Sequence, residues 1–170
     1  MGPYNTLTKP LNHFPGLSDF FFCELSQFDV IADVATPGAQ TISDTHTFLT
    51  GEGFKKAFII PEKHTGKAST AGTLGSQTLK NEFEVFIPGI DDATLTFIKN
   101  ALNDVFITIH TDADCDNPQK YQLGNACRGV RMTCDLTIGT FEPTGDKGFT
   151  CKFTWAGIPY IYDGAVTLKV

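Results

Sequence analysis

The sequence predicts a mainly β domain, an antiparallel sandwich or barrel with one flanking α-helix. Three observations carry that expectation. Apolar and polar residues alternate with the period of a strand in two stretches near the C-terminus, 130–138 and 149–155. Fifteen Phe and abundant Thr suit a pleated sheet better than a helix. Turn-forming Gly, Pro and Asp punctuate the chain between the alternating stretches.

Residues 1–18 are rich in Pro, Gly and Asn without periodicity, and they read as an arm that orders only against a surface. The remaining residues, 19–170, form one β-rich domain. Its first strand-like stretch runs from Asp19 to about Val34 and ends at Thr36-Pro37-Gly38. Thr45–Thr50 and Gly53–Ile60 follow as candidate strands. Residues 61–81 contain almost no large apolar side chain, so they are expected as a long polar loop, either functional or simply flexible. Glu82–Ile87 alternates again, with Phe83, Val85 and Ile87 on one face. Asp91 or Asp92 can cap a helix of about 91–103, whose apolar stripe is Leu95, Ile98, Ala101 and Leu102. Val105–His110 is the next strand. In 130–138, Val130, Met132, Cys134, Leu136 and Ile138 oppose Arg131, Thr133, Asp135 and Thr137. In 149–155, Phe149, Cys151, Phe153 and Trp155 oppose Thr150, Lys152 and Thr154. Both are half-buried strands with one wet or interfacial face. Ile158–Tyr162 and Ala165–Val170 complete the set.

Charged residues are 19% of the chain, against about 25% in an average protein. Two readings fit: a surface covered by neighbouring subunits, or an exterior of Thr, Ser and Gly. The net charge of −6 and scattered Lys and Arg argue against a grip on nucleic acid. The five cysteines show no CxxC pair, so reduced thiols are expected, with Cys134 and Cys151 acting as small hydrophobes. No signal peptide or membrane span is apparent, since no run approaches about 18 apolar residues. A protein made in the cytoplasm and remaining soluble is the expectation.

No catalytic or cofactor motif stands out. The four His show no metal-binding spacing, and there is no nucleophile elbow or phosphate loop. The best metal candidate is Asp112, Asp114 and Asp116, spaced like the start of a calcium loop. The match then fails at Asn117, Pro118 and Leu123, which leaves a polar hairpin loop as the expectation. The chain is therefore read as a non-enzyme without a cofactor.

From Glu82 onward strand, helix, strand and polar turn are followed by Tyr121, Leu123 and Gly124, then Gly139 and Thr140, Asp146, Gly148 and Phe149, and Pro159 and Tyr160. These residues and this order of elements are similar to those of tail tube proteins of tailed phages, in particular presumed tail proteins from phages of Bacteroidetes. The resemblance covers the last half of the chain. It implies a virion protein whose rings, expected to be hexameric, stack into a hollow tail tube. The tube would conduct DNA without sequence-specific contacts, and it would meet a tape-measure protein and other tail proteins. Loop 61–81, with Lys63, His64, Lys67, Leu74 and Lys80, would bridge adjacent rings. The face bearing Arg131, Thr133, Asp135, Thr137, Thr150, Lys152 and Thr154 would line the lumen or an interface. Another virion component, such as a terminator, neck or decoration protein, and a calcium- or carbohydrate-binding sandwich are the alternatives.

Overall fold

The computed structural model describes residues 16–114, 117–139 and 146–169. In chain order the strands are β1 (Leu17–Glu24), β2 (Phe28–Val30), β3 (Thr41–Ile42), β4 (Thr47–Phe48), β5 (Lys55–Lys56), β6 (Thr65–Ala71) and β7 (Thr78–Pro88). After the helix α1 (Asp92–Ala101) come β8 (Val105–Asp112), β9 (Lys120–Leu123), β10 (Val130–Thr137), β11 (Gly148–Ala156) and β12 (Tyr160–Tyr162). The protein is mainly β with one α-helix among the described residues, as the alternation predicts.

Strand β8 organises the sheet. One edge pairs along its length with β1, from Phe106 opposite Glu24 to Asp112 opposite Leu17. The other edge forks. Its second half pairs with β9, which leads to β12 and β3. Its start pairs with β10 through only Val130 and Arg131, and β10 leads to β11, β7 and β6. The segment after β5 closes the structure. Ala57 N–H donates to the Phe20 carbonyl on β1, and Ile60 N–H donates to the Phe86 carbonyl on β7, each at 3.2 Å. The pairings are antiparallel except that β12 runs parallel to β3.

Two cores follow from the two faces of β1 and β8. Inside the closed sheet lie Phe20, Phe22, Val85, Phe106, Met132 and Phe153, among others. The opposite face presents Cys23, Ile107 and Ile109 to a second cluster with Phe28, Ile42, Phe54 and Tyr162. Burying each such aromatic stabilises the fold by about 1.5–3 kcal/mol. Residues 25–56 thus form a layer over the outside of β1 and β8.

Asp91 caps α1, its carboxylate accepting from Thr94 N–H at 2.7 Å. Ile98 and Ala101 are buried as the stripe predicts, whereas Leu95 and Leu102 are about half exposed. Phe97 takes their place, packing on Phe22 at 5.0 Å between ring centroids.

Several sequence expectations change. The first strand-like stretch is broken by a 3-10 turn at Leu25–Gln27. Gly53–Ile60 shrinks to β5, and Ala165–Val170 contributes only a single bridge, from Leu168 to Phe54. Of the expected arm, Leu17 and Ser18 belong to β1, and residues 1–15 lie outside the described residues. The polar stretch 61–81 is the main correction. It contains a 3-10 turn at Pro61–Lys63, all of β6 and the start of β7. Every residue of β6 is exposed, so it needs no apolar alternation. Backbone pairing to β7 holds it, and β7 is anchored on its other side by β11.

Candidate assembly surface

Strands β10, β11, β7 and β6 are in register, and directly opposed residues share a face. The inner row Met132, Phe153, Phe83 and Gly66 faces the core. The adjacent outer row is Arg131, Thr154, Glu82 and Lys67, and the next is Thr133, Lys152, Glu84 and Thr65. Asp135 and Thr150 extend it beside Phe86, and Thr137 sits at its end. The structure therefore brings all seven residues of the expected polar face onto one continuous surface. Lys67–Glu82 at 3.5 Å and Lys152–Glu84 at 3.6 Å lace it together. Such exposed pairs contribute little stability.

The residues expected in a bridging loop separate. Lys67 and Lys80 lie on the outer face of the β6–β7 hairpin, and Leu74 sits at its tip, 95% exposed. Lys63 pairs with Asp146 and lies over the Phe86 ring, 4.6 Å from its centroid. His64 does not belong with them: it points into the core and is 3% exposed. The outer edge of β6 pairs with no other named strand, and beyond Arg131 the free edge of β10 is likewise unpaired among the described residues.

Gly66 explains the hairpin's base. The Phe83 ring lies over it, and a Cβ there would meet the ring at 2.5 Å. Beside it, His64 Nε2 lies 2.8 Å from His110 Nδ1, and His110 Nε2 lies 3.2 Å from Thr108 Oγ1. Each neutral ring carries one proton, so the tautomer of one sets the other. Burial pushes the His64 imidazole down to about 4, against the opposing pull of Asp19. Burial, then the neighbouring His64, holds His110 well below the usual histidine range. His64 Nδ1 and Asn81 Oδ1 are buried without a hydrogen-bond partner. Both residues border an open cleft of about 630 Å³ that Leu17, Phe83 and Tyr121 also line.

His46 is a contrast. Its Nδ1 accepts from Ala32 N–H at 2.9 Å, so Nε2 carries the proton and donates to Gln122 Oε1 at 2.8 Å. Its ring stacks on Tyr162 at 4.8 Å, and burial lowers its pKa. That polar group is fully satisfied beneath the covering layer.

The expectation of free thiols at Cys134 and Cys151 is overturned. They lie opposite each other on β10 and β11, 4.1 Å apart at Cα, and are joined by a disulfide. Cys23 is buried, and burial raises its thiol to about 12, while Cys127 is exposed. The Asp112 carboxylate accepts from Asp114 N–H at 3.2 Å and Gln119 N–H at 2.9 Å, which shapes the loop. Asp116 lies outside the described residues. No group of three His, Cys, Asp or Glu side chains converges as a metal site among the described residues. None of their helices is long and apolar enough to cross a membrane.

No protein-family model, curated protein or solved structure matches this chain.

Proposed function

We propose that this chain is a self-assembling structural subunit of the tail tube type, whose rings stack into a DNA-conducting channel of a phage tail. It acts without chemistry of its own. Its partner is first itself, and then the tape-measure and other tail proteins that such a tube meets. The observation that supports this reading is the bare β6 edge, seven exposed residues contiguous with a polar four-stranded face. An uncovered edge is a template for pairing with another strand, and monomers usually blunt it with charge, Pro or a covering loop. Here β6 reads TGKASTA, with one charge and no Pro.

Negative-stain imaging of the purified full chain tests the proposal. Rings or stacked tubes are expected. Lys substituted at both Ser69 and Thr70 should suppress them, because charge on an edge strand opposes edge-to-edge pairing. A wild-type chain that stays monomeric at high concentration would sink the reading.

A further inference from the structure

At the start of β10 the outer face opens into a groove of about 430 Å³, walled by Lys80, Arg128, Arg131, Thr154 and Trp155. The three cations are exposed, yet among the described residues none has a carboxylate within ion-pair distance. In a chain of net charge −6, where acidic groups outnumber basic ones, three uncompensated cations around one groove are unexpected. The backbone at Arg128 is held in place. Trp155 Nε1 donates to the Arg128 carbonyl at 3.1 Å, which ties that backbone to the groove floor. Gly157 lies against the same indole so closely that a Cβ would meet the ring at 2.5 Å.

The opposite end of the same sheet carries the complementary charge. Strands β7 and β10 both run antiparallel to β11, hence in the same direction. Lys80 and Arg131 stand near their starts. Beyond the end of β7 come exposed Asp91 and Asp92, and exposed Asp135 lies in the far half of β10. Neither Asp92 nor Asp135 has an ion-pair partner among the described residues. From Lys80 to Pro88 the strand spans about 26 Å, at ~3.3 Å per residue. Lys147 also stands at that end, its carbonyl accepting from Gly89 N–H, so the far end carries an excess of carboxylates over cations and the groove end an excess of cations.

We infer that the Lys80–Arg128–Arg131 groove is a carboxylate-binding site whose occupant is the acidic end, around Asp92 and Asp135, of a second copy of this chain. This inference rests on the self-assembly reading and deepens it by naming the contact between copies. Such a contact joins unlike patches, so it repeats head to tail and can propagate a stack. Placing the cations in a subunit contact also keeps them off a lumen that DNA must traverse.

The test uses the full chain and its single tryptophan, Trp155, whose indole borders the groove. Self-association is followed by sedimentation velocity at about 0.15 M salt, a Debye length of roughly 8 Å, with Trp emission recorded alongside. Arg131→Glu and Asp92→Lys should each weaken association at least about tenfold, because like charges then face each other. The pair together should restore it to within roughly threefold, the remaining gap being about 0.7 kcal/mol. Arg128→Glu and Lys80→Glu should repeat the Arg131 result if that variant folds poorly by circular dichroism. A Trp emission shift on association should vanish in the groove variants. Wild-type-like association of the reversals, or no rescue in the pair, would overturn the inference while leaving self-assembly standing. Failure of the wild type to associate would remove both. Binding of a single-stranded oligonucleotide that needs Arg131, with self-association unchanged, would reassign the groove to phosphate.

Discussion

The two branches that leave β8 make an instructive contrast. The branch through β9 and β12 packs beneath residues 25–56, a layer that includes β3, and the polar groups between them are closed off: His46, Gln122 and Tyr162 all find partners. The branch through β10, β11, β7 and β6 packs its inner face on the core, and on its outer face Phe86 is buried beneath Lys63. Its outer face carries charge and Thr, and its last strand has a free edge. Both branches share the same central strand, so the difference lies in the cover. One side uses about a fifth of the chain, residues 25–56, to hide its outer face, and the other leaves it open. On the proposed reading, that uncovered face is where a second copy of the chain docks.

Substitutions should separate the branches by size of effect. The largest belongs to the covered side. Phe54 is 1% exposed and packs edge-on against Phe28 and Phe48. Phe54→Ala should cost about 3–5 kcal/mol in urea unfolding.

Acid should act next, at the base of the hairpin. His64 is held at about 4 in the folded protein against 6.5 in the unfolded chain, so below pH 6.5 the unfolded state binds more protons. Stability should be level above pH 6.5 and should fall through the window from 6.5 to 4, by about 3 kcal/mol for His64. His110 adds to the loss in the same direction. His64→Leu should flatten this limb in a pH series of denaturant melts, and an unchanged slope would contradict the assignment.

The disulfide tests what the bare branch uses in place of a cover. Cys134 and Cys151 close a loop of sequence separation 17. Reduction should lower stability by about 3 kcal/mol on the chain-entropy model. Thermal melts with and without reductant measure it, and the Cys134→Ser, Cys151→Ser pair should lose all sensitivity to reductant.

The smallest stability effect belongs to the open face. Thr133 is exposed, so Thr133→Lys should move unfolding by no more than about 0.5 kcal/mol. The same change should slow assembly measurably by light scattering, because it adds charge opposite Lys152. A stability loss without an assembly effect would mean that the face is merely structural.

Much of this was legible in the sequence, for identifiable reasons. Strand β11 alternates cleanly because one face is buried and the other wet, and β10 does the same as far as Met132, whereas Leu136 and Ile138 beyond it are exposed against expectation. The helix and its Asp91 cap follow from local chemistry. Strand β6 was invisible, because a strand exposed on both faces has no hydrophobic period. The disulfide was hidden by register. Pairing Ile138 with Phe149 would set Cys134 against Phe153, whereas the observed pairing of Leu136 with Phe149 shifts it to Cys151. His64 sits in a polar stretch that reads as loop, and only the fold turns it inward to His110. The cation groove was equally hidden, because Lys80, Arg128 and Arg131 are scattered in sequence and only sheet registration gathers them.

The central claim is that the bare edge of β6 is where copies of this chain meet. Hydrogen exchange of the backbone amides of residues 65–71, followed by mass spectrometry across a concentration series, tests it most directly. The account predicts rapid exchange of the outward amides in dilute protein and marked protection as assemblies form, with residues 25–56 unchanged. Assemblies that form while residues 65–71 exchange as fast as in the monomer would contradict it.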